Sequence, residues 1–137
     1  MDIAKILLPV DGSEHSVRAA REAAEWAKHF KADIILLHCS VVFPNLKLKG
    51  DYAREAAESA NKALGAARDV LQDHGIRYME RVIDGSPTDV ISDLAEREKV
   101  DMIVMAPRGV NPLQGLLLGS VTERVLKTAP CRVLIVR

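Results

Sequence analysis

Apolar residues fall into two rhythms that alternate along the chain. "IAKILLPV" (3–10) is a short apolar, β-branched run that ends at "DGS", and from Glu14 the apolar positions Val17, Ala20, Ala24 and Ala27 recur every three or four residues. The first run reads as a strand and the second as one face of a helix, so "DGS" is a strand-to-helix turn rather than a hairpin. "ADIILLHC" (32–39) is apolar throughout, as a strand covered on both faces requires. Residues 40–51, with Pro44, Gly50 and "LKLK" between them, form a loop with two readings, a mobile connection or a lid, between which composition does not choose. Ala53, Ala56, Ala57, Ala60, Leu64, Ala67 and Leu71 then mark a long amphipathic helix that stops at Gly75.

The second half repeats the scheme. "IRYMERVIDG" (76–85) alternates as a third strand, and "SPTD" starts a helix with Ser86 as N-cap, Pro87 at its first position and Asp89 three residues after the cap. That helix runs to about Lys99, "DMIVMA" (101–106) is a fourth strand, a helix spans about Val121 to Lys127, and "CRVLIVR" closes the chain as a fifth strand. Five strands alternating with four helices predict a doubly wound parallel α/β sheet, and 137 residues suit one domain, 1–137.

Composition narrows the function. Lys plus Arg and Asp plus Glu are 19 each, which gives no global field toward nucleic acid or acidic lipid. Two cysteines, Cys39 and Cys131, make neither a disulfide framework nor a zinc motif, and the apolar run at the start is too short for a signal peptide or a membrane span. The expectation is a cytoplasmic protein without membrane or nucleic-acid partners.

In an open α/β sheet ligands bind beyond the carboxyl ends of the strands, which selects "PVDGS", "HCSVV", "VIDGSP" and "MAPRG…LGS". Asp11 has two readings, a helix-capping carboxylate or an acceptor for an adenine amino group or a ribose hydroxyl. Asp84 is explained by the turn beside it. In "MAPRGVNPLQGLLLGSVTER" (105–124) there is no Gly-Lys-Ser/Thr, so a P-loop is excluded, and neither G-x-G-x-x-G nor G-x-S-x-G occurs. Ser120 and Glu123 have capping-box spacing, yet a capped helix start still presents N–H groups to an anion, and a glycine before it allows close approach. Cys39 reads as a small buried hydrophobe, Arg108 as a solvated loop residue, and the four histidines (His15, His29, His38 and His74) as core or surface residues.

These stretches together resemble the single-domain universal stress proteins, in "KILLPVDGSEHSVRAAREAAEWA", "IILLH", "VIDGSPTDVI" and "GSVTERVLKTAPCRVLIVR". The resemblance implies strand order 3-2-1-4-5 in an adenine-nucleotide alpha-hydrolase-like, Rossmann-like fold. ATP-binding members show G-x2-G-x9-G-[ST], and the matching residues are Ala106, Gly109, Gly119 and Ser120, with alanine in place of the first glycine. It further implies that Pro9, Asp11 and Cys39 surround adenine and ribose, that Met105 and Ala106 line the same pocket, and that Gly109, Gly119, Ser120, Val121 and Thr122 hold ribose and phosphates. ATP, with or without Mg2+, is the implied ligand, in a regulatory module without evident catalytic machinery. An interaction module that has lost nucleotide is the alternative, and a slow ATP hydrolase or phosphoryl transferase a weaker one, because phosphoryl transfer needs a metal-holding acid and a nucleophile-positioning group not assignable beyond Asp11 and Asp84. The last strand, Arg132–Arg137, is an edge that members of the family pair with a second copy. A homodimer follows, with Val133 and Ile135 on one face of the strand and Leu134 and Val136 on the other.

Overall fold

The computed structural model describes residues 1–40, 49–109 and 118–137, with the backbone alone for 49–52. Their elements are β1 (Lys5–Pro9), α1 (Glu14–Phe30), β2 (Asp33–Ser40), α2 (Lys49–Asp73), β3 (Tyr78–Asp84), α3 (Pro87–Arg97), β4 (Met102–Met105), α4 (Ser120–Thr128) and β5 (Arg132–Ile135). The strands form one parallel sheet in the order β3-β2-β1-β4-β5. The expected topology is therefore found.

Strand periodicity divides the core in two. Ile6, Leu8, Ile34, Leu36, Met102 and Val104 face α1 and α2 together with Ala20, Ala24, Leu64 and Leu71. Leu7, Ile35, Leu37, Ile103 and Met105 point to the other face, where Ile91, Leu94 and Val125 of α3 and α4 cover them. Successive side chains of a strand alternate faces, so continuous apolar runs are what a sheet covered on both sides demands. In the last strand segment, Leu134 and Val136, the latter just past β5, join the first cluster and Val133 and Ile135 the second, as expected.

Three local readings change. The buried stripe of α1 begins at Ser16 rather than Val17, because the Ser16 hydroxyl donates to the Ser13 carbonyl at 2.9 Å and can be buried satisfied. Helix α2 starts at Lys49, inside the expected 40–51 loop, and Ala53 and Ala57 stay exposed; its packed positions are Ala60, Leu64, Ala67 and Leu71. The rest of that loop, 41–48, lies outside the described residues, as does Gly115. Finally, Gly119 is the N-cap of α4 and Ser120 its first helical residue, with no side-chain cap bond, so the Ser120–Glu123 capping box does not form. The Gly119 N–H donates to the Pro107 carbonyl at 2.7 Å, and this bond sets the helix start one residue earlier than the side-chain motif suggested.

Candidate functional site

β1 lies between β2 and β4, and the chain leaves its carboxyl end for one face of the sheet while β4 leads to the other. Backbones diverge at such a point and leave a crevice. Here it is a cleft of about 130 Å3, lined by the ends of β1, β2 and β4 and by the starts of α1, α3 and α4. Leu37, Ile91, Met105 and Val121 give it an apolar wall, while Asp11, Ser16, His38, Arg108 and Thr122 bring polar atoms to it.

Asp11 does not cap α1. That role falls to Ser13, whose hydroxyl accepts the Ser16 N–H at 3.2 Å, while Asp11 Oδ1 accepts the Ser13 N–H at 2.9 Å. This two-residue reach is the turn-forming habit of aspartate. It fixes the carboxylate at the cleft with Oδ2 turned toward Gly109, so closely that a Cβ on Gly109 would collide with it. Gly119 has a comparable reason to be glycine: a Cβ there would lie 3.3 Å from the Arg108 Cα. Neither glycine has a positive φ. Both are needed for space, where backbone and side chain pass at close range.

Ala106 occupies the position of the missing glycine. Among the described residues the non-glycine positions with positive φ are Lys31 and Lys99, so Ala106 sits in ordinary backbone conformation and its methyl group brings no strain. It is 9% exposed and lines the cleft. The neighbouring Thr122, buried to 2% exposure, donates its hydroxyl to the Ala106 carbonyl at 2.9 Å and ties α4 to the end of β4.

His38 Nδ1 lies 3.0 Å from the Val10 carbonyl. A carbonyl only accepts, so Nδ1 carries the proton and, in the neutral ring, Nε2 is the acceptor. Burial pushes the Cys39 thiol up to about 11, which keeps it protonated at neutral pH, as a wall residue rather than a nucleophile.

A model of the universal stress protein family matches residues 3–137. The chain belongs to the universal stress protein family. A universal stress protein of Methanocaldococcus jannaschii is 35% identical over 97% of this chain and 81% of its own length. Among solved structures, a universal stress protein from Lactobacillus plantarum is 26% identical with a TM-score of 0.89, covering 100% of this chain and 99% of that one. A universal stress protein in complex with cAMP is 28% identical with a TM-score of 0.79, again over 100% and 99% of the two chains.

In this universal stress protein the cleft brings together Pro9, Asp11, Cys39, Met105, Ala106, Gly109, Val121 and Thr122 of the residues the family resemblance named. Gly119 and the exposed Ser120 stand beside it without lining it. Asp84 lies outside, at a separate hollow between α2 and β3. Val10, Ser16, Leu37, His38, Pro87, Ile91 and Arg108 also line the cleft and were not assigned to it from the sequence. His38 and Arg108 directly adjoin or nearly adjoin named residues, so adjacency was a usable signal for them. Pro87 closes the strand-end stretch "VIDGSP" already singled out, whereas Ile91 offered no signal, since only the packing of α3 across the sheet brings it there.

Proposed function

We propose that the cleft binds an adenine nucleotide, ATP above all, and that the protein works as a dimeric, cytoplasmic regulatory module that responds to nucleotide occupancy. The observation that carries this reading is the ordinary backbone conformation of Ala106 at the switch-point cleft. The departure from the ATP-binding glycine pattern costs no strain, and the first-turn amides of α4, which have no acceptor within the helix, stand beside the cleft for phosphates. The apolar wall of Leu37, Ile91, Met105 and Val121 suits a flat base. The 28% identical relative in complex with cAMP adds support from an adenine nucleotide.

Pro9, Asp11 and Cys39 take the base and ribose side in this reading, with Gly109, Gly119, Ser120, Val121 and Thr122 on the phosphate side. Mg2+ would arrive with the triphosphate. We assign no turnover to the site: the cleft hydroxyls of Ser16 and Thr122 donate to backbone carbonyls and the Cys39 thiol keeps its proton, so none of these three stands as an activated nucleophile beside Asp11 or His38. The dimer uses β5, an edge strand with β4 on one side only. An interaction module without nucleotide drew on Ala106 as its one sequence hint, and an ordinary φ removes the physical basis of that hint.

Isothermal titration with ATP and with AMP, each with and without Mg2+, tests the reading. Saturable binding is expected; absence of binding at millimolar ATP overturns it.

A further inference from the structure

We infer that Thr122 is a positioning residue that sets the nucleotide-facing end of α4 before any ligand arrives, rather than a side chain that holds the ligand. This inference rests on the nucleotide reading above and departs from the family expectation that Thr122 contacts ribose or phosphate. A threonine hydroxyl has one proton, and that of Thr122 is donated to the Ala106 carbonyl 16 residues back, in a site 2% exposed. Phosphate oxygens at neutral pH need donors. With its proton committed, the Thr122 side chain offers them only lone pairs.

The bond does not stand alone. The Gly119 N–H donates to the Pro107 carbonyl at 2.7 Å, and Gly119 passes close against the Arg108 backbone. Two successive carbonyls at the exit of β4 are thus bound to two residues of the α4 start, one at the N-cap and one at the third helical position. These bonds fix the angle and depth at which α4 meets the sheet. Consequently the N–H groups of Ser120, Val121 and Thr122 are held beside the cleft in a set geometry, and the ordering entropy is already spent when a ligand enters. Threonine suits the place better than serine because its β-branch limits rotamer choice and its methyl group fills buried space.

The test compares wild type, Thr122→Val and Thr122→Ser. Valine keeps the shape and loses the bond; serine keeps the bond. On losing one net hydrogen bond and the preset geometry, the valine variant should bind ATP about tenfold more weakly, and serine should restore affinity to within about threefold of wild type. Equal ATP affinity of valine variant and wild type overturns the inference, as does a folded serine variant as weak as valine. Amide hydrogen exchange of ligand-free wild type supplies a readout that needs neither variant nor nucleotide. The Gly119 N–H should be protected before ATP is added and gain less than about threefold on saturation; protection that arises only with ATP overturns the inference. If wild type binds no nucleotide, the functional reading fails by itself, and the exchange of Gly119 still decides whether the α4 start is preset.

Discussion

The Asp11 carboxylate lies against Gly109, with Oδ2 too close to the place of a Cβ for any side chain to fit there. One loop follows β1 and the other β4, so this contact joins the two sides of the switch point. Substituting Gly109→Ala should push the carboxylate away and loosen its bond to the Ser13 N–H. We expect a stability loss of about 1–3 kcal/mol and an ATP affinity about tenfold lower. Denaturant unfolding and titration calorimetry measure both. In a double-mutant cycle, Asp11→Ala should remove part of the Gly109→Ala penalty, with a coupling of at least ~0.5 kcal/mol, whereas strict additivity would show that the two residues do not meet.

Ala106→Gly restores the glycine of the ATP-binding pattern. Since Ala106 already has ordinary φ, glycine has no strain to relieve. ATP affinity should stay within about threefold of wild type, and stability should fall by about 0.5–1 kcal/mol through the added freedom of the unfolded chain. A tenfold gain in affinity would mean that the alanine methyl group itself obstructs the ligand.

The Cys39 thiol links pH to stability. Burial raises its folded pKa from the ordinary 9.0 to about 11. Below pH 9 both folded and unfolded chains keep the proton. Between pH 9 and 11 the unfolded chain releases it first, so the folded state binds more protons and stability falls as pH rises. The slope should shrink in Cys39→Ala, measured as the difference between urea midpoints at pH 8 and pH 10.5. Alkylation of Cys39 at pH 8 should be slower than that of a model thiol, and ATP should slow it further.

The edge of β5 gives a test of the dimer. The Val136 N–H donates to the Met105 carbonyl on the β4 side, and alternate residues of a strand turn their N–H groups to opposite sides. The N–H of Ile135 therefore points away from β4. Ile135→Pro removes that donor while sparing the bonds to β4, a placement proline tolerates on an edge. Sedimentation velocity should show wild type as a dimer and the proline variant as a monomer with its far-ultraviolet spectrum retained. A monomeric wild type would refute the proposed assembly.

No helix among the described residues is long and apolar enough to cross a membrane. Within the sheet, much was legible in advance because the signals are local. A strand buried on both faces must be apolar at successive residues, as Ile34 to Leu37 are, and a helix lying on a sheet must repeat its small residues every three or four positions, as Ala20, Ala23, Ala24 and Ala27 do. Those periods determined element type, number and order. The strand order and the membership of most cleft residues came from the family resemblance, which carries tertiary information that periodicity does not hold.

The remaining features depend on contacts between distant segments. The carboxylate of Asp11 finds Gly109 across 98 residues of sequence, and Thr122 finds the Ala106 carbonyl across 16. Spacing alone cannot tell a capping serine from a helical one, and at Ser120 a backbone bond from Gly119 to Pro107 made the choice. The same holds for Ala106. Its identity was plain in the sequence, but whether alanine suffices there depends on φ, and φ is set by how β4 leaves the sheet to meet α4. Set beside the family's motif, the chain showed that a glycine was missing; its packing established that alanine in that place brings no backbone strain.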